Sequence, residues 1–554
     1  MFSAARKSPV PCVQCAGRCL RFPRRSRDGI RFASTFPRIS SALDTPPPLS
    51  SQQQTLLDSL HSARSVAFAG GGATAIHRHT EINKKVLPRE RLRMLLDPDS
   101  PFLELSITAG HELEYGSVPC GGSISVIGRV SGTLCLLSVT EATVKGGSVY
   151  PISLQKQLRV QQIALKNRIP IVYLTDSAGA FLPLQSQIFV PGGATFYNQA
   201  LLSSKGIPQL VVVCGHCTAG AAYIPSMADE AIIIKGIGAV FLAGPPLLKA
   251  ATGEIVGTEE LGGADVHCRL SGGTDHYVET EEEAYSIARQ SVVAFNCLPS
   301  PHPQAGSGSE PCAPAASLSS YMPVEGGPVN MSQILAGVLD GSRLRKFKAL
   351  YGPTLITGFG HIAGRLVGVL ANNGPMSSDA ALKGAHFAQI CSTRGIPMVF
   401  LQHTEQAVGS ASHDTDRDWM RAIAKLVSIV SCAKVAKICV IIGDSCGMVG
   451  SAMCGPGLDA DFVFSWPSAR IAAMDAEGGY TTTDEGEIRS PCQQAELFSR
   501  CGDKASAIHC SARLLDDGII TPEETREVLR QSLEACMEYR STQAPKPDTG
   551  VIRM

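Results

Sequence analysis

The chain carries no excess of charge of either sign: 49 lysines and arginines stand against 49 aspartates and glutamates. That balance argues against nucleic acid or another polyanion as a partner. No apolar stretch of about 18 residues runs free of proline and charge, so no helical membrane span is expected. Disulfide order is missing too. The 19 cysteines are odd in number and irregular in spacing, and Cys135, Cys214 and Cys439 sit inside apolar runs. Small buried thiols in a reducing compartment fit this better than a disulfide framework. Two common catalytic signatures are absent: there is no H-E-x-x-H and no Walker A loop. No metal site is expected, because Cys12, Cys15 and Cys19 fall inside a basic N-terminal segment.

What is present begins with glycine. The 54 glycines cluster at the ends of apolar runs, as strand-to-helix turns of an α/β protein require. With 554 residues the chain is long enough for two or more domains. Residues 1–40 hold nine Lys or Arg against the single acid Asp28, with serines and small residues between. That composition reads as a mitochondrial transit peptide cut near Arg31 to Ser34, or else as a disordered basic tail. Residues 41–60 are rich in Pro, Ser and Gln and read as an extended entry segment. Within 41–298, "RIPIVYLTD" (168–176) predicts a buried strand, and residues 299–322 form a Pro/Gly/Ser-rich linker to a second domain, 323–554. Thr521, Pro522 and Glu524 predict a capping box, with Leu529, Leu533 and Cys536 on one face of the helix that follows.

The two parts repeat. "GRVSGTLCLLSVTEATVKGG" (128–147) matches "GHIAGRLVGVLANNGPMSS" (360–378), and "RIPIVYLTDSAGAF" (168–181) matches "GIPMVFLQHTEQAV" (395–408). "GIPQLVVVCGHCTAGAAY" (206–223) matches "VAKICVIIGDSCGMVGSAM" (435–453). A near-constant offset implies two copies of one fold. In the first copy Ala219, Gly220 and Ala221 are small residues at a strand-to-helix turn. Their N–H groups could hold a developing oxyanion, although close helix–strand packing explains the same residues. Aligning Cys217 with Cys446 sets Ala219-Gly220 opposite Met448-Val449. Cys214-Gly-His-Cys217 also has the spacing of a disulfide-exchange motif, but valines precede it where an exposed helix start is needed. "AGGGATAI" (69–76) is read as a plain glycine-rich turn, and His403 and His413 as solvated loop residues.

Long co-linear blocks carry a resemblance. "LPRERLRMLLDPDSPFLEL" (87–105), "ATVKGGSVYPISLQKQLR" (142–159), "FLAGPPLLKAATGEIV" (241–256), "DGSRLRKFKALYGPTLITGF" (340–359) and "DDGIITPEETREVL" (516–529) resemble carboxyltransferase subunits of biotin-dependent acyl-CoA carboxylases, from about residue 50 onward. The resemblance implies two tandem crotonase-like (ClpP/crotonase) β-β-α superhelix domains. The first would bind acyl-CoA and the second, from a neighbouring copy, carboxybiotin. It implies a hexameric core of this subunit, with biotin carried on a separate alpha subunit that alone uses ATP. In keeping with this, the chain has no Met-Lys-Met biotinylation site and no ATP motif. The implied acceptor is a branched coenzyme A thioester, 3-methylcrotonoyl-CoA above others, in the mitochondrial matrix.

The resemblance also implies site residues. Gly220 and Ala221 would form one backbone oxyanion hole, and Met448 and Val449 the other. Ala178, Gly179 and Ala219 would line the acyl-CoA side, and Arg343, Lys346, Lys348, Tyr351, Gly358 and Asn372 an acyl-CoA/biotin stretch. The family has Gly at the positions of Ala178 and Ala221 and Ala-Gly at 448–449. Its Gly/Phe-rich loop is replaced by residues 403–419, and its glycine pair by Asp475-Ala476. Valine resists positive φ and its branches obstruct close approach. The alternative to an active subunit is therefore an impaired paralogue that binds acyl-CoA or assembles without transferring carboxyl groups.

Overall fold

Two chain reversals built on the same two-residue turn organise the molecule. Ser131 and Gly132 (φ +49° and +80°) join one antiparallel pair, and Ala363 and Gly364 (φ +48° and +78°) join another. Positive φ at both positions is the type I′ geometry that matches strand twist, and it follows from Ser-Gly and Ala-Gly. The computed structural model describes residues 36–297, 308–324, 327–404, 413–472 and 504–539. The basic residues before Phe36, residues 405–412 and Asp475-Ala476 lie outside the described residues.

The first half contains β1 (Leu103–Leu105), β2 (Ser123–Val130), β3 (Thr133–Thr140), β4 (Ser148–Val149), β5 (Ile171–Ser177), β6 (Gly179–Ala180), β7 (Gln209–Thr218), β8 (Glu230–Ile234), β9 (Ala239–Phe241) and β10 (His276–Val278). Its sheet runs β1-β2-β3-β5-β7-β8-β10, with β9 on β7 and a separate β4-β6 pair. The hairpin side is antiparallel and β3-β5-β7-β8-β10 is parallel. The second half contains β11 (Arg345–Lys346), β12 (Leu355–Ile362), β13 (Arg365–Asn372), β14 (Met398–Gln402), β15 (Lys437–Ile441), β16 (Asp444–Cys446), β17 (Phe462–Ser465) and β18 (Arg470–Ala472). Its sheet runs β11-β12-β13-β14-β15-β17, again a hairpin followed by parallel strands, with β16-β18 apart. The repeat in the sequence is thus a repeat in topology, and each half is a crotonase-like unit. The parallel strands are covered on both faces, which is why "IVYL" and "MVFL" are unbroken apolar runs.

One apolar core crosses between the halves. Leu136, Ile171 and Val211 share it with Leu401, Ile438 and Phe464, and Leu529, Leu533 and Cys536 of the helix Thr525–Met537 complete it. The capping box forms as predicted: Thr521 N–H donates to Glu524 Oε2 at 2.7 Å, opening a turn that leads into this helix. The same C-terminal segment clamps the first half. Arg159 donates to both oxygens of Asp517 at 2.7 Å, and Tyr539 bonds Leu134 N and O at 3.0 and 3.1 Å. The described residues from Phe36 onward accordingly form one unit. Two expected boundaries shift. Residues 315–321, placed in the linker, form a 3₁₀ helix with Leu318 fully buried. Ile39, placed in the transit segment, donates to Ser342 O at 2.8 Å and is buried. Among the described residues no helix is long and apolar enough to cross a membrane, and no cluster could hold a metal ion.

Candidate active site

Parallel strands of an α/β sheet present ligands at their C-terminal ends, where loops diverge. In the first half β3, β5 and β7 end around a cleft of about 1040 Å³ lined by Lys85, Thr143, Lys145, Asp176, Ala178 and His216. Asp176 closes β5 and is held by Lys85 at 2.8 and 3.0 Å, both side chains nearly buried. The carboxylate lies flat against Gly215, where an added Cβ would fall 1.9 Å from Oδ1. His216 faces the cleft with its ring edge-on to Phe241 at 5.6 Å. Partial burial, reinforced by Lys85 and opposed by Asp176, holds its pKa below the usual value.

The turn follows at once. Ala219 takes φ +55°, and a 3₁₀ turn Ala219–Ala222 leads into the helix Tyr223–Met227. The leading N–H groups of such a turn have no partner within it. Gly220 and Ala221 sit there, and the space beside Gly220 is bounded only by Phe196 Cζ, 3.7 Å from where a Cβ would stand. Gly179 (φ +88°) approaches Thr218 O, and Ser177 Oγ ties this edge together by donating to Gly147 O (2.8 Å) and accepting from Gly179 N–H (3.2 Å). Ala178, Gly179, Ala219, Gly220 and Ala221 are therefore brought to one place.

The second half repeats the arrangement with an offset of 228 residues. Gly447 (φ +58°) has the conformation of Ala219, and the helix Gly447–Ala452 starts there. Gly443 lies against His403 as Gly215 lies against Asp176, an added Cβ falling 2.3 Å from Nδ1. Gln402 and Ser445 are hydrogen-bonded at the positions of Thr175 and Cys217, with the direction reversed: Gln402 donates to Ser445 Oγ, whereas Cys217 donates to Thr175 Oγ1. Aligning Cys217 with Cys446 is thus one residue out of register: Met448 and Val449 stand opposite Gly220 and Ala221. The positive φ falls on glycine, so Val449 is spared the strain expected of it. Its side chain turns into the core (5% exposed), whereas Met448 projects outward (61% exposed).

His403 is a correction. Read from sequence as solvated, it is 2% exposed, and its Nδ1 accepts the Asp444 N–H at 3.1 Å. An N–H can only donate, so Nδ1 carries the lone pair. The polar run "HTEQ" conceals this, and the preceding "FLQ" strand with Gly443 downstream was the available signal. His413 begins the helix His413–Cys432.

The remaining stretch does not converge on one point within the chain. Asn372 Oδ1 accepts from His403 N–H at 3.2 Å, beside the second turn. Arg343 lies by Gly360 and donates to Phe36 O at 2.8 Å. The five-residue separation along β12 places these two roughly 17 Å apart. Gly358 admits Arg345 O of the edge strand β11, where Lys346 lies. Lys348 stacks over Tyr351 at 5.4 Å, and Tyr351 donates to Asp379 at 2.8 Å. Beneath them Lys383 donates to Lys348 O, and burial with Lys346 and Lys348 nearby brings its pKa down to about 8. The redox motif is ruled out by geometry. Cys214 and Cys217, three apart on one strand, point to opposite faces and into different cores, and burial pushes both thiols up to about 12.

Paired crotonase-like units, each opening a helix-start turn at the ends of parallel strands, define a carboxyltransferase-type fold. The carboxyl transferase domain family matches residues 80–552. The mitochondrial methylcrotonoyl-CoA carboxylase beta chain of Arabidopsis thaliana is 43% identical over 528 residues, covering 90% of this chain and 88% of that one. The biotin-dependent 3-methylcrotonyl-coenzyme A carboxylase beta1 subunit of Mycobacterium tuberculosis is 41% identical, covering 94% and 100%. The beta subunit of the P. aeruginosa geranyl-CoA carboxylase superimposes with a TM-score of 0.85 at 34% identity, covering 94% of this chain and 100% of that one. The chain belongs to the carboxyl transferase family, as a carboxyltransferase subunit of the biotin-dependent acyl-CoA carboxylase type.

Proposed function

We propose that this subunit transfers a carboxyl group from carboxybiotin to a branched acyl-CoA, with 3-methylcrotonoyl-CoA as the acceptor. The observation that carries the reading is the duplicated turn: Ala219 and Gly447 adopt the same positive φ, and each starts a short helix at the ends of parallel strands. Two sets of approachable N–H groups suit two oxyanions. Gly220 and Ala221 would hold the thioester oxygen as enolate charge develops, and Met448 and Val449 the ureido oxygen of biotin. Carboxybiotin, brought by an alpha subunit, supplies CO₂ and a basic nitrogen for the acceptor proton. The cleft beside the first turn, with Lys145 and Lys85 at its wall, suits an anionic CoA thioester. Because glycine takes the strained position in the second turn, Met448-Val449 leaves the backbone donors in place, and the active reading is favoured over an impaired paralogue.

The name of the A. thaliana relative, shared by one from Dictyostelium discoideum, supports a mitochondrial location, and we place the work in the matrix. A homo-oligomer, hexameric in this reading, is supported by Leu182, Phe189, Val190 and Tyr197, which stand exposed on and beside the helix Gln185–Ser204. The test is carboxylation by this chain reconstituted with a biotin-carrying alpha subunit, comparing 3-methylcrotonoyl-CoA with geranyl-CoA and acetyl-CoA. Preferential turnover of 3-methylcrotonoyl-CoA is expected. Binding of acyl-CoA without turnover would establish the paralogue instead.

A further inference from the structure

The end of β14 is bonded, residue by residue, to the strand that leads into the second turn. Gln402 Nε2 donates to Ser445 Oγ and to Gly450 O, both at 2.9 Å. His403 Nδ1 accepts from Asp444 N–H at 3.1 Å. Thr404 N–H donates to Asp444 O at 2.6 Å, and Thr404 Oγ1 donates to that same oxygen at 3.0 Å while accepting from Cys446 N–H at 2.8 Å. Asp444, Ser445 and Cys446 are thereby each fixed immediately ahead of Gly447, where the chain reverses into positive φ. The imidazole cannot shift away from its bond. It is wedged against Gly443, where an added Cβ would also fall 2.9 Å from Pro323 Cγ, and the backbone N–H of His403 donates to Asn372 Oδ1 at 3.2 Å. In the first half the equivalent seat is ionic, Asp176 with Lys85. In the second it is a neutral ring that bonds the turn-bearing strand directly.

We propose that His403 and Thr404 are positioning residues for carboxyl transfer: they hold β16 in register so that the N–H groups of Met448 and Val449 face the biotin-side oxyanion. This rests on the carboxyltransferase reading above. Neither residue touches a reacting atom. Their effect passes through the direction of two backbone donors, and the loss of one such donor typically lowers turnover by about 10²-fold or more.

The test uses the reconstituted holoenzyme and two variants. His403→Leu removes the acceptor, and His403→Asn returns an oxygen close to where Nδ1 stood. The expected result is a fall in kcat of about 10²-fold for His403→Leu with the acyl-CoA KM unchanged, and recovery in His403→Asn. Hydrogen exchange of the peptide covering Asp444 to Val449 should accelerate in the Leu variant alone, with the β2–β3 hairpin as an unaffected reference. Unchanged kcat and exchange in His403→Leu would overturn the proposal. So would an Asn variant as impaired as the Leu one, or a rise in acyl-CoA KM that matches the fall in kcat. A wild-type holoenzyme that does not turn over would count against the carboxyltransferase reading itself, and the exchange comparison would still decide whether His403 holds β16.

Discussion

Gly447 is the residue on which the second turn depends. Its φ of +58° is a conformation that costs an L-residue about 1–2 kcal/mol. Gly447→Val should therefore reduce carboxyl transfer while leaving acyl-CoA binding at the first half intact, as steady-state kinetics and direct binding would show. Ala219 takes the same φ without glycine, so Ala219→Gly should be neutral or slightly stabilising in a denaturant titration. Gly215 works differently, because it leaves room for a carboxylate. Gly215→Ala would drive a methyl into Asp176 and prise it from Lys85, and disrupting a buried pair costs about 3 kcal/mol or more. The measurable result is a large drop in the denaturation midpoint. Lys383 makes a claim about pH. Its pKa is brought down from 10.5 to about 8 in the folded chain, so between those values the unfolded chain binds more protons. Stability from this group rises with pH across that window and is flat below about 8. Lys383→Met removes the slope. Relative to wild type, the variant should lose ground as pH rises from 8 to 10 in paired denaturation curves.

Elements differ in how openly the sequence declares them. The C-terminal helix was legible because its signals are local: Thr521, Pro522 and Glu524 start it, and Leu529, Leu533 and Cys536 recur at helical spacing on the buried face. What those leucines pack against was not legible, since a core crossing both halves is assembled from residues hundreds of positions apart. Leu533→Ala should cost about 2–5 kcal/mol and loosen the hairpin β2–β3 as well as the second half, because Tyr539, two residues past the end of the same helix, bonds Leu134. The parallel strands and the repeat were legible from their apolar runs. The register of the turns was not. Cysteine identity suggested one alignment, whereas backbone conformation at Ala219 and Gly447 fixes another. Conformation is what positions a backbone donor, and the match of one cysteine to another is no guide to it. His403 was missed because a polar run after a strand reads as solvent-facing. Its burial depends on Gly443, 40 residues on, leaving space for the ring.

At the scale of the whole molecule, the two turns raise a question of distance. The halves share one core through the faces that meet between them. Leu182, Phe189, Val190 and Tyr197 remain on the outside, next to the first turn through the contact of Phe196 with Tyr223 at 5.2 Å. A monomer leaving such side chains in water would forgo burial worth about 1.5–3 kcal/mol for each one covered. The simplest cover in a subunit with a duplicated fold is another copy, whose second turn would then face this first turn. Phe189→Asp combined with Val190→Asp puts two charges on that face without touching the core, since both residues are strongly exposed. The variant should keep its circular dichroism and thermal transition, yet sediment as a smaller species than wild type. Carboxyl transfer should be lost with the assembly, while each chain still binds acyl-CoA weakly through its own first half. If the variant keeps both the wild-type mass and its turnover, this face is not where the copies meet, and the two turns must be brought together by another surface.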